Sequence, residues 1–140
     1  RIESTYPDIE IVSIQYGGGD HLKSTDLAKA ILQANPDLKG FFAANEGSII
    51  GVLNAVNEMD LVGKIVVIGY DSGSQQMQAI RDGLEAGAIT QNPVGIGYKC
   101  VEAAVKVLNG ETVDETIDTG FFWYDASNID DAEIQAVLYE

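Results

Sequence analysis

The sequence predicts an α/β fold in which a parallel sheet is flanked by helices. Apolar runs with the composition of strands alternate along the 140 residues with stretches of helical periodicity. The run from Ile65 to Ile68 is apolar throughout and is bounded by Gly63 and Gly69, which is typical of a strand buried on both faces. Strands that alternate with helices in this way indicate parallel pairing with crossover helices.

The first part of the chain contains two predicted strands and two predicted helices. Residues Ile9 to Ile14 alternate and are rich in Ile and Val, which predicts a strand. After Gly17-Gly18-Gly19, a helical pattern runs from Asp20 to Ala34 and ends before Pro36. Phe41 to Ala44 is predicted as the second strand. The apolar residues of the amphipathic helix that follows are Ile49, Ile50, Leu53, Ala55 and Val56.

The second part continues the alternation. After the strand at 65–68, the predicted elements are a helix capped by Ser72 or Ser74, a strand at 88–90, a helix over Pro93–Leu108, a strand over 116–123 and a short helix over 130–138. Pro93 suits the first turn of its helix, with Asn92 before it as the cap. Asn109 and Gly110 end that helix.

Charge and composition limit the possible functions. The chain carries 22 acidic and 8 basic side chains, a formal net charge of −14. Such an excess repels phosphate backbones, so we expect no nucleic-acid partner. Apolar residues make up 46% of the chain, which is enough for the core of one globular domain.

The cysteine and histidine content excludes several kinds of site. Cys100 is the single cysteine, which excludes an internal disulfide, and we predict it to be a small buried side chain. His21 is the single histidine, which excludes a site with several histidine ligands. The segment Gly17 to Asp20 fits neither of the glycine-rich phosphate-binding patterns. We therefore expect no metal and no cofactor.

Three polar residues stand at the ends of three predicted strands. Asn45 follows the second strand, Asp71 follows the third and Gln91 follows the fourth. Ligands of open parallel sheets bind at the carboxyl ends of the strands, so these side chains are expected to converge. Two amides and a carboxylate form a donor and acceptor set that suits hydroxyl groups. The pattern predicts a binder of a small polyol.

Each of these residues also has a purely structural interpretation. Asn45 and Asp71 can act as helix N-caps, whereas Gln91 has a weaker structural role because Asn92 is the better cap. The glycine loop before Asp20 is either a flexible turn or a ligand-facing loop that points Asp20 or His21 into a cleft.

Aromatic side chains are candidates for stacking on a sugar ring, although core or interlobe packing is the better explanation for any single one of them. The candidates are Phe41, Phe42, Tyr70, Phe121, Phe122, Trp123 and Tyr124.

Catalysis is disfavoured by the residues present. A phosphotransfer receiver needs paired acids after its first strand, and Asp71 with Lys64 does not stand in that arrangement. A glycosidase needs two carboxylates. Asp71 with Asp20 or Glu46 could in principle supply them, but no other feature of the sequence supports this activity. We expect the chain not to be an enzyme.

Three segments together carry a resemblance to a known family. They are ANPDLKGFFAANE at 34–46, VVIGYD at 66–71 and GAITQNP at 87–93. Their order and spacing resemble the C-terminal part of type I periplasmic sugar-binding proteins, the ribose-binding class of ABC-transporter receptors. The resemblance implies the periplasmic-binding-protein type I fold, mainly its C-terminal lobe.

The resemblance also implies roles for residues and partners. It implies that Asn45, Asp71 and Gln91 bind sugar hydroxyls, and His21 stands where the family often has a basic residue. It further implies a monosaccharide or polyol ligand and a membrane permease as partner. The implied location is periplasmic or extracellular, and some full-length proteins of this kind would carry a lipid anchor.

We expect residues 1–140 to be a single truncated α/β domain. Residues 1–91 resemble the C-terminal lobe without its first strand and helix, 92–118 would pack on the missing N-terminal lobe, and 119–140 would form a hinge and C-terminal tail. The residues before Pro7 resemble the last turns of a helix, and no signal peptide or membrane-spanning run is present. With partners missing, exposed edges predict self-association and weak sugar binding by this chain.

A second function remains open at this point. The effector-binding domain of a lactose-repressor-type regulator shares the fold implied by the resemblance. The segment from Gln91 to Tyr98 and the acidic balance resemble transport receptors more closely.

Overall fold

The structure is a computed structural model that describes residues 1–139. Its helices are α1 (Ile2–Thr5), α2 (His21–Ala34), α3 (Glu46–Glu58), α4 (Ser74–Arg81), α5 (Pro93–Leu108) and α6 (Ala132–Gln135). Its strands are β1 (Gly40–Phe42), β2 (Val66–Tyr70), β3 (Gly87–Gln91) and β4 (Phe121–Tyr124). The short α1 before Pro7 confirms the helical ending predicted there.

The strands form one sheet in the order β1-β2-β3-β4. The first three strands are parallel, which confirms the α/β prediction for this part of the sheet. β4 is antiparallel to β3, with Phe121 opposite Gln91 and Tyr124 opposite Ala88. The expectation that this last strand would also be parallel is wrong. The chain after α5 returns to the Gln91 end of β3, so β4 starts there and runs back along it.

The strand predicted at 9–14 does not form. This segment has no place in the sheet, and Ile9, Ile11, Val12 and Ile14 are all exposed. The alternating pattern is right for a strand, but a strand also needs a neighbour to pair its backbone N–H and C=O groups. Within residues 1–139 no strand pairs with this segment.

Two clusters of apolar side chains make the core. The larger cluster joins α2 and α3 to the sheet and includes Ala28, Leu32, Ile49, Val56 and Val67. The smaller joins α4 to β3, β4 and the C-terminal segment through Ile80, Ala88, Tyr124, Ile129 and Ile134. Both clusters lie below the carboxyl ends of β2 and β3, and they fix the loops that follow these strands. In residues 1–139 no helix combines the length and apolar character that crossing a bilayer requires.

The α5 helix is different from the others because none of its residues is buried. Val94, Tyr98, Val101 and Leu108 are all exposed on it. Cys100 is also exposed, so its prediction as a buried side chain is wrong. The helical spacing that suggested burial is correct, but among the described residues no other element covers this helix. An apolar face of this size is typical of a surface that a further partner covers.

Candidate functional site

The loops after β2 and β3 meet at the side chain of Asp71. Its Oδ1 accepts a hydrogen bond from Nε2 of Gln91 at 2.8 Å. Its Oδ2 accepts one from the backbone N–H of Glu46 at 3.0 Å. The carboxylate thus joins the first residue of α3 to the last residue of β3. The convergence of Asp71 and Gln91 at one edge of the sheet agrees with the sequence prediction.

Asn45 lies next to this carboxylate because it directly precedes Glu46. Its side-chain Oδ1 accepts from the N–H of Ser48 at 2.8 Å, so Asn45 is the N-cap of α3. The structural interpretation of this residue is therefore correct. Capping uses the oxygen, whereas the Nδ2 group makes no hydrogen bond to the residues described here. Asn45 is exposed and can donate from Nδ2.

The backbone of Asp71 is as tightly held as its side chain. Its φ is +80°, in the left-handed region that few non-glycine residues adopt. Its N–H donates to the carbonyl of Ile89 at 2.8 Å. Its carbonyl accepts from the hydroxyl of Tyr124 at 2.7 Å. Four hydrogen bonds thus fix the orientation of this one residue.

A buried polar layer supports the loop from below. The hydroxyl of Thr90 donates to the hydroxyl of Ser72 at 3.0 Å, and both residues are fully buried. A Cβ on Gly73 would displace the carboxylate of Glu46, so the loop lies directly against the first residue of α3. The loop and the α3 N-terminus therefore form one rigid surface.

Asp20 and His21 lie at the start of α2. Asp20 is the N-cap, and its Oδ1 accepts from the N–H of Lys23 at 2.7 Å. A Cβ on Gly47 would collide with the carbonyl oxygen of Gly19, which places the glycine loop directly beside α3. Both candidate residues are exposed, and among residues 1–139 neither side chain bonds to Asp71, Gln91 or Asn45.

The helix caps differ from the predictions in one place. Asn92 caps α5, with its Oδ1 accepting from Gly95 N–H at 2.8 Å, as predicted. The N-cap of α4 is Gly73, so the prediction of Ser72 or Ser74 there is wrong. Ser72 turns inward to Thr90 instead. Asp71 caps no helix of its own and reaches across to the N-terminus of α3.

Four of the seven aromatic candidates divide between the core and the rim of the sheet. Phe41 and Phe122 pack against the core clusters and Tyr124 is fully buried, so the structural interpretation holds for these three. Phe121 is 71% exposed and stands opposite Gln91 in the sheet, at the edge where the polar side chains meet. A pair directly opposite in an antiparallel ladder has its side chains on the same face.

The sequence analysis did not predict that two tyrosines lie near Asp71: it considered Tyr124 only as a stacking or core aromatic and did not single out Tyr139. Burial raises the pKa of Tyr124 well above its usual range, and the negative charges of Glu85 and Asp71 add to this effect. Burial and the charge of Asp71 also raise the pKa of Tyr139. Both phenols are therefore neutral donors at ordinary pH. Their positions in the C-terminal segment give no local signal that links them to residue 71.

The arrangement presents hydrogen-bonding groups to solvent at one rim of the sheet. Asp71 offers further lone pairs on both oxygens, Gln91 offers an amide oxygen and one further N–H, and Asn45 offers an amide N–H. A hydroxyl both donates and accepts, so adjacent hydroxyls on a small molecule match this set. Charge-assisted bonds to the carboxylate are the strongest members of it.

Comparisons with known proteins identify relatives of this chain. Residues 1–112 match the family model described as "Periplasmic binding protein domain". A ribose import binding protein of Bacillus subtilis is 33% identical over 110 residues, which cover 78% of this chain and 35% of that protein.

The fold of this chain is also similar to those of solved structures. An ABC transporter solute-binding protein from Agrobacterium vitis, with bound D-fucose, superposes with a TM-score of 0.91 at 32% identity, covering 97% of this chain and 47% of that one. A Brachyspira murdochii protein described as "ABC transporter, LacI family transcriptional regulator" gives 0.71 at 33% identity, covering 87% of this chain and 41% of that one.

The matched relatives are longer than this chain. The chain spans about a third of the Bacillus protein and about half of the Agrobacterium chain. The match to the family model nevertheless extends over most of the 140 residues and includes all three strand-end side chains. This chain belongs to the periplasmic binding protein family.

Proposed function

We propose that this chain forms one face of the sugar-binding cleft of a receptor that feeds an ABC transporter. The observation that carries the proposal is the hydrogen-bonded junction of Asp71 and Gln91, with Asn45 beside it at the α3 N-terminus. The relatives are binding proteins, and the site geometry suits capture of a ligand without chemistry. We therefore propose that the chain is not an enzyme.

Each residue has a definite role in this proposal. Asp71 accepts hydrogen bonds from one or two sugar hydroxyls, Gln91 accepts from or donates to a third, and Asn45 donates through Nδ2. Phe121 supplies apolar area for a face of the ring. His21 and Asp20 stand at the outer rim, where they contact a ligand that extends beyond the junction. The charged carboxylate of Asp71, which is half-buried, gives the strongest hydrogen bonds of the set.

The partners follow from the family and the length of the relatives. A second lobe closes over the ligand. The closed form then docks on the outer side of a permease in the cytoplasmic membrane. The exposed face of α5 is the part of this chain that packs on that lobe. A lipid anchor on the full-length protein is compatible with this role. The ligand is a monosaccharide or a related polyol.

The second candidate is a sugar-responsive transcriptional regulator of the lactose-repressor type. The similarity to the Brachyspira protein favours it, although that superposition is poorer than the one with the sugar-bound receptor. In this case the same three side chains would line an inducer pocket. The gene sequence upstream of Arg1 separates the two functions, because a secretory signal favours the receptor and a helix-turn-helix favours the regulator.

Thermal unfolding in the presence of sugars tests the binding function. The full-length polypeptide that carries this chain is heated with D-ribose, D-fucose, D-arabinose or D-allose, each in large excess. A ligand at about a hundred times its dissociation constant stabilises the folded state by about 2.7 kcal/mol, which gives a clear rise in melting temperature. We expect at least one sugar to produce it.

A matched pair of variants ties that rise to the site. Gln91→Ala removes a proposed ligand contact, whereas Gln33→Ala removes an exposed amide on α2 far from the junction. We expect the sugar-dependent rise to shrink in the first variant and to persist in the second. An equal rise in both variants would place the sugar elsewhere, and no rise with any sugar would contradict the proposed function.

A further inference from the structure

Asp71 is held in a conformation that its own sequence does not favour. A positive φ is unfavourable for a non-glycine residue, although Asp tolerates it better than most. The conformation matters to the site because it sets the direction of the carboxylate. Contacts that fix the peptide groups on both sides of the residue help to keep it in this state.

The contact on the carbonyl side comes from β4. The hydroxyl of Tyr124 donates to the Asp71 carbonyl at 2.7 Å, across 53 residues of sequence. Tyr124 is fully buried opposite Ala88 and packs with Met77, Ile80 and Ile129. Its ring therefore has little freedom, and the position of its hydroxyl is set by the core.

Tyr124 is also a dependable donor. Burial raises its pKa far above the usual range, so the phenol keeps its proton at ordinary pH. The contact on the other side is the Asp71 N–H to the Ile89 carbonyl at 2.8 Å, a backbone bond that no side-chain change removes. Tyr124 is thus the side chain that decides how the Asp71 backbone is held.

We propose that Tyr124 is a positioning residue for sugar binding, which holds Asp71 in its left-handed conformation so that the carboxylate meets both Gln91 and the α3 N-terminus. It acts through Asp71 and does not touch the ligand. The predicted effect of Tyr124 on sugar affinity rests on the proposed function. Its predicted effect on the conformation of Asp71 does not. The antiparallel β4 strand then has a specific purpose, because its register places Tyr124 opposite Ala88 of β3, from where its hydroxyl reaches the Asp71 carbonyl.

The first test uses this chain and needs no ligand. Tyr124→Phe removes one hydroxyl and keeps the ring in the core, and Tyr6→Phe is the matched control at an exposed position. We expect amide hydrogen exchange at Asp71 and Glu46 to accelerate about tenfold in Tyr124→Phe, as expected for the loss of one buried hydrogen bond. The side-chain amide resonances of Gln91 should shift as well. Exchange in the core of α3, at Ile49 for example, should change much less.

Two results would overturn the claim that Tyr124 holds the backbone of Asp71. Unchanged exchange at Asp71 and Glu46 would show that Tyr124 does not hold the loop. An equal acceleration at Asp71 and at Ile49 would show a general loss of stability instead of a local release.

The second test measures sugar affinity in the full-length polypeptide, with whichever sugar stabilises the unmodified protein. We expect the dissociation constant to rise about tenfold in Tyr124→Phe and to stay unchanged in Tyr6→Phe. If the unmodified protein binds sugar and Tyr124→Phe binds equally well, the positioning role is wrong and the proposed function stands. If the unmodified protein binds no sugar, the proposed function fails, while the exchange experiment still decides whether Tyr124 holds Asp71.

Discussion

Gln76 and Glu85 form a fully enclosed polar pair beneath the strand that leads to Asp71. Both side chains are almost completely buried, and Nε2 of Gln76 donates to Oε1 of Glu85 at 2.9 Å. The remaining oxygens, Gln76 Oε1 and Glu85 Oε2, have no partner in the described chain. A Cβ at Gly69 would collide with Glu85 Oε1, so the pair fits only against a glycine. Burial raises the pKa of Glu85 to about 8, and the Gln76 hydrogen bond offsets part of that rise.

This carboxyl group makes stability depend on pH. The folded protein keeps the proton of Glu85 up to about pH 8, whereas the unfolded chain releases it near the usual 4.5. The stabilisation is therefore complete below about pH 4.5 and is lost as pH rises towards 8, by up to about 1.4 kcal/mol per pH unit. Glu85→Gln should abolish this slope in denaturant unfolding measured at several pH values. Glu133→Gln, an exposed control, should retain it, and an unchanged slope in Glu85→Gln would contradict the account.

Residue-scale reasoning from sequence predicted part of the candidate site and missed part of it. Asn45, Asp71 and Gln91 were found because a polar residue that ends a buried strand is a strong local signal. Tyr124 was counted among seven stacking candidates and is fully buried. Its hydrogen bond to Asp71 depends on the antiparallel register of β4, which the sequence of that segment does not determine.

At the scale of elements, two helices have similar caps but very different surroundings. Asn45 caps α3, most of whose residues are in the core, and Asn92 caps α5, which has no buried residue. Replacing an N-cap Asn by Ala costs about 1 kcal/mol in each case. Because α3 is part of the cooperative core and α5 is not, the same cost should appear in different observables.

The pair of variants makes that difference measurable. We expect Asn45→Ala to lower the global free energy of unfolding by about 1 kcal/mol. Asn92→Ala should accelerate hydrogen exchange along α5 and leave the global value nearly unchanged. Denaturant unfolding combined with hydrogen exchange checks both expectations. A global loss of similar size in Asn92→Ala would mean that α5 is coupled to the core more strongly than its exposure indicates.

Element prediction from the sequence was reliable where local pattern and tertiary pairing agree. The helix at 20–34 and the helix at 93–108 have clear periodicity with Asp20 and Asn92 as caps, and both form nearly as predicted. The segment at 9–14 has a good strand pattern but no neighbour, so it stays outside the sheet. Strand direction is a tertiary property, which explains the error on β4.

For the whole molecule, the exposed apolar surfaces are the dominant feature. The face of α5, the segment 9–14 and the strands β1 and β2 all expose apolar side chains, with Phe42 of β1 at 59% and Val66 of β2 at 54%. Edges and faces of this kind favour pairing with another protein surface. In the proposed receptor a second lobe covers α5, and without that lobe a second copy of this chain is the available cover.

Self-association of this chain should therefore be measurable. We expect light scattering to give an average mass above that of the 15.0 kDa monomer, increasing with concentration. Val101→Lys on the exposed α5 face should reduce it, because a charge in an apolar contact is costly to bury. Val62→Lys, at an exposed position outside α5, is the control. A monomeric mass at high concentration would argue against the prediction.

The proposed receptor also sets an expectation for affinity. One face of a cleft provides only part of the contacts and excludes little water, so this chain alone should bind sugar weakly or undetectably. A dissociation constant in the micromolar range, equivalent to about −8 kcal/mol, would show that this half of the cleft is sufficient by itself.

The most direct test of the central claim is a calorimetric titration of the full-length polypeptide, unmodified and as Asp71→Asn, with the sugar that stabilises it most. Asn keeps the size of the side chain but removes the charge that the sugar hydroxyls and Gln91 meet. Asp26→Asn, exposed on α2, is the control. The account predicts that Asp71→Asn weakens binding by tenfold or more, since hydrogen bonds to charged groups contribute about 1.5–3 kcal/mol, and that Asp26→Asn binds as before. Equal affinity in all three proteins would contradict the claim that sugar is bound at the Asp71 junction.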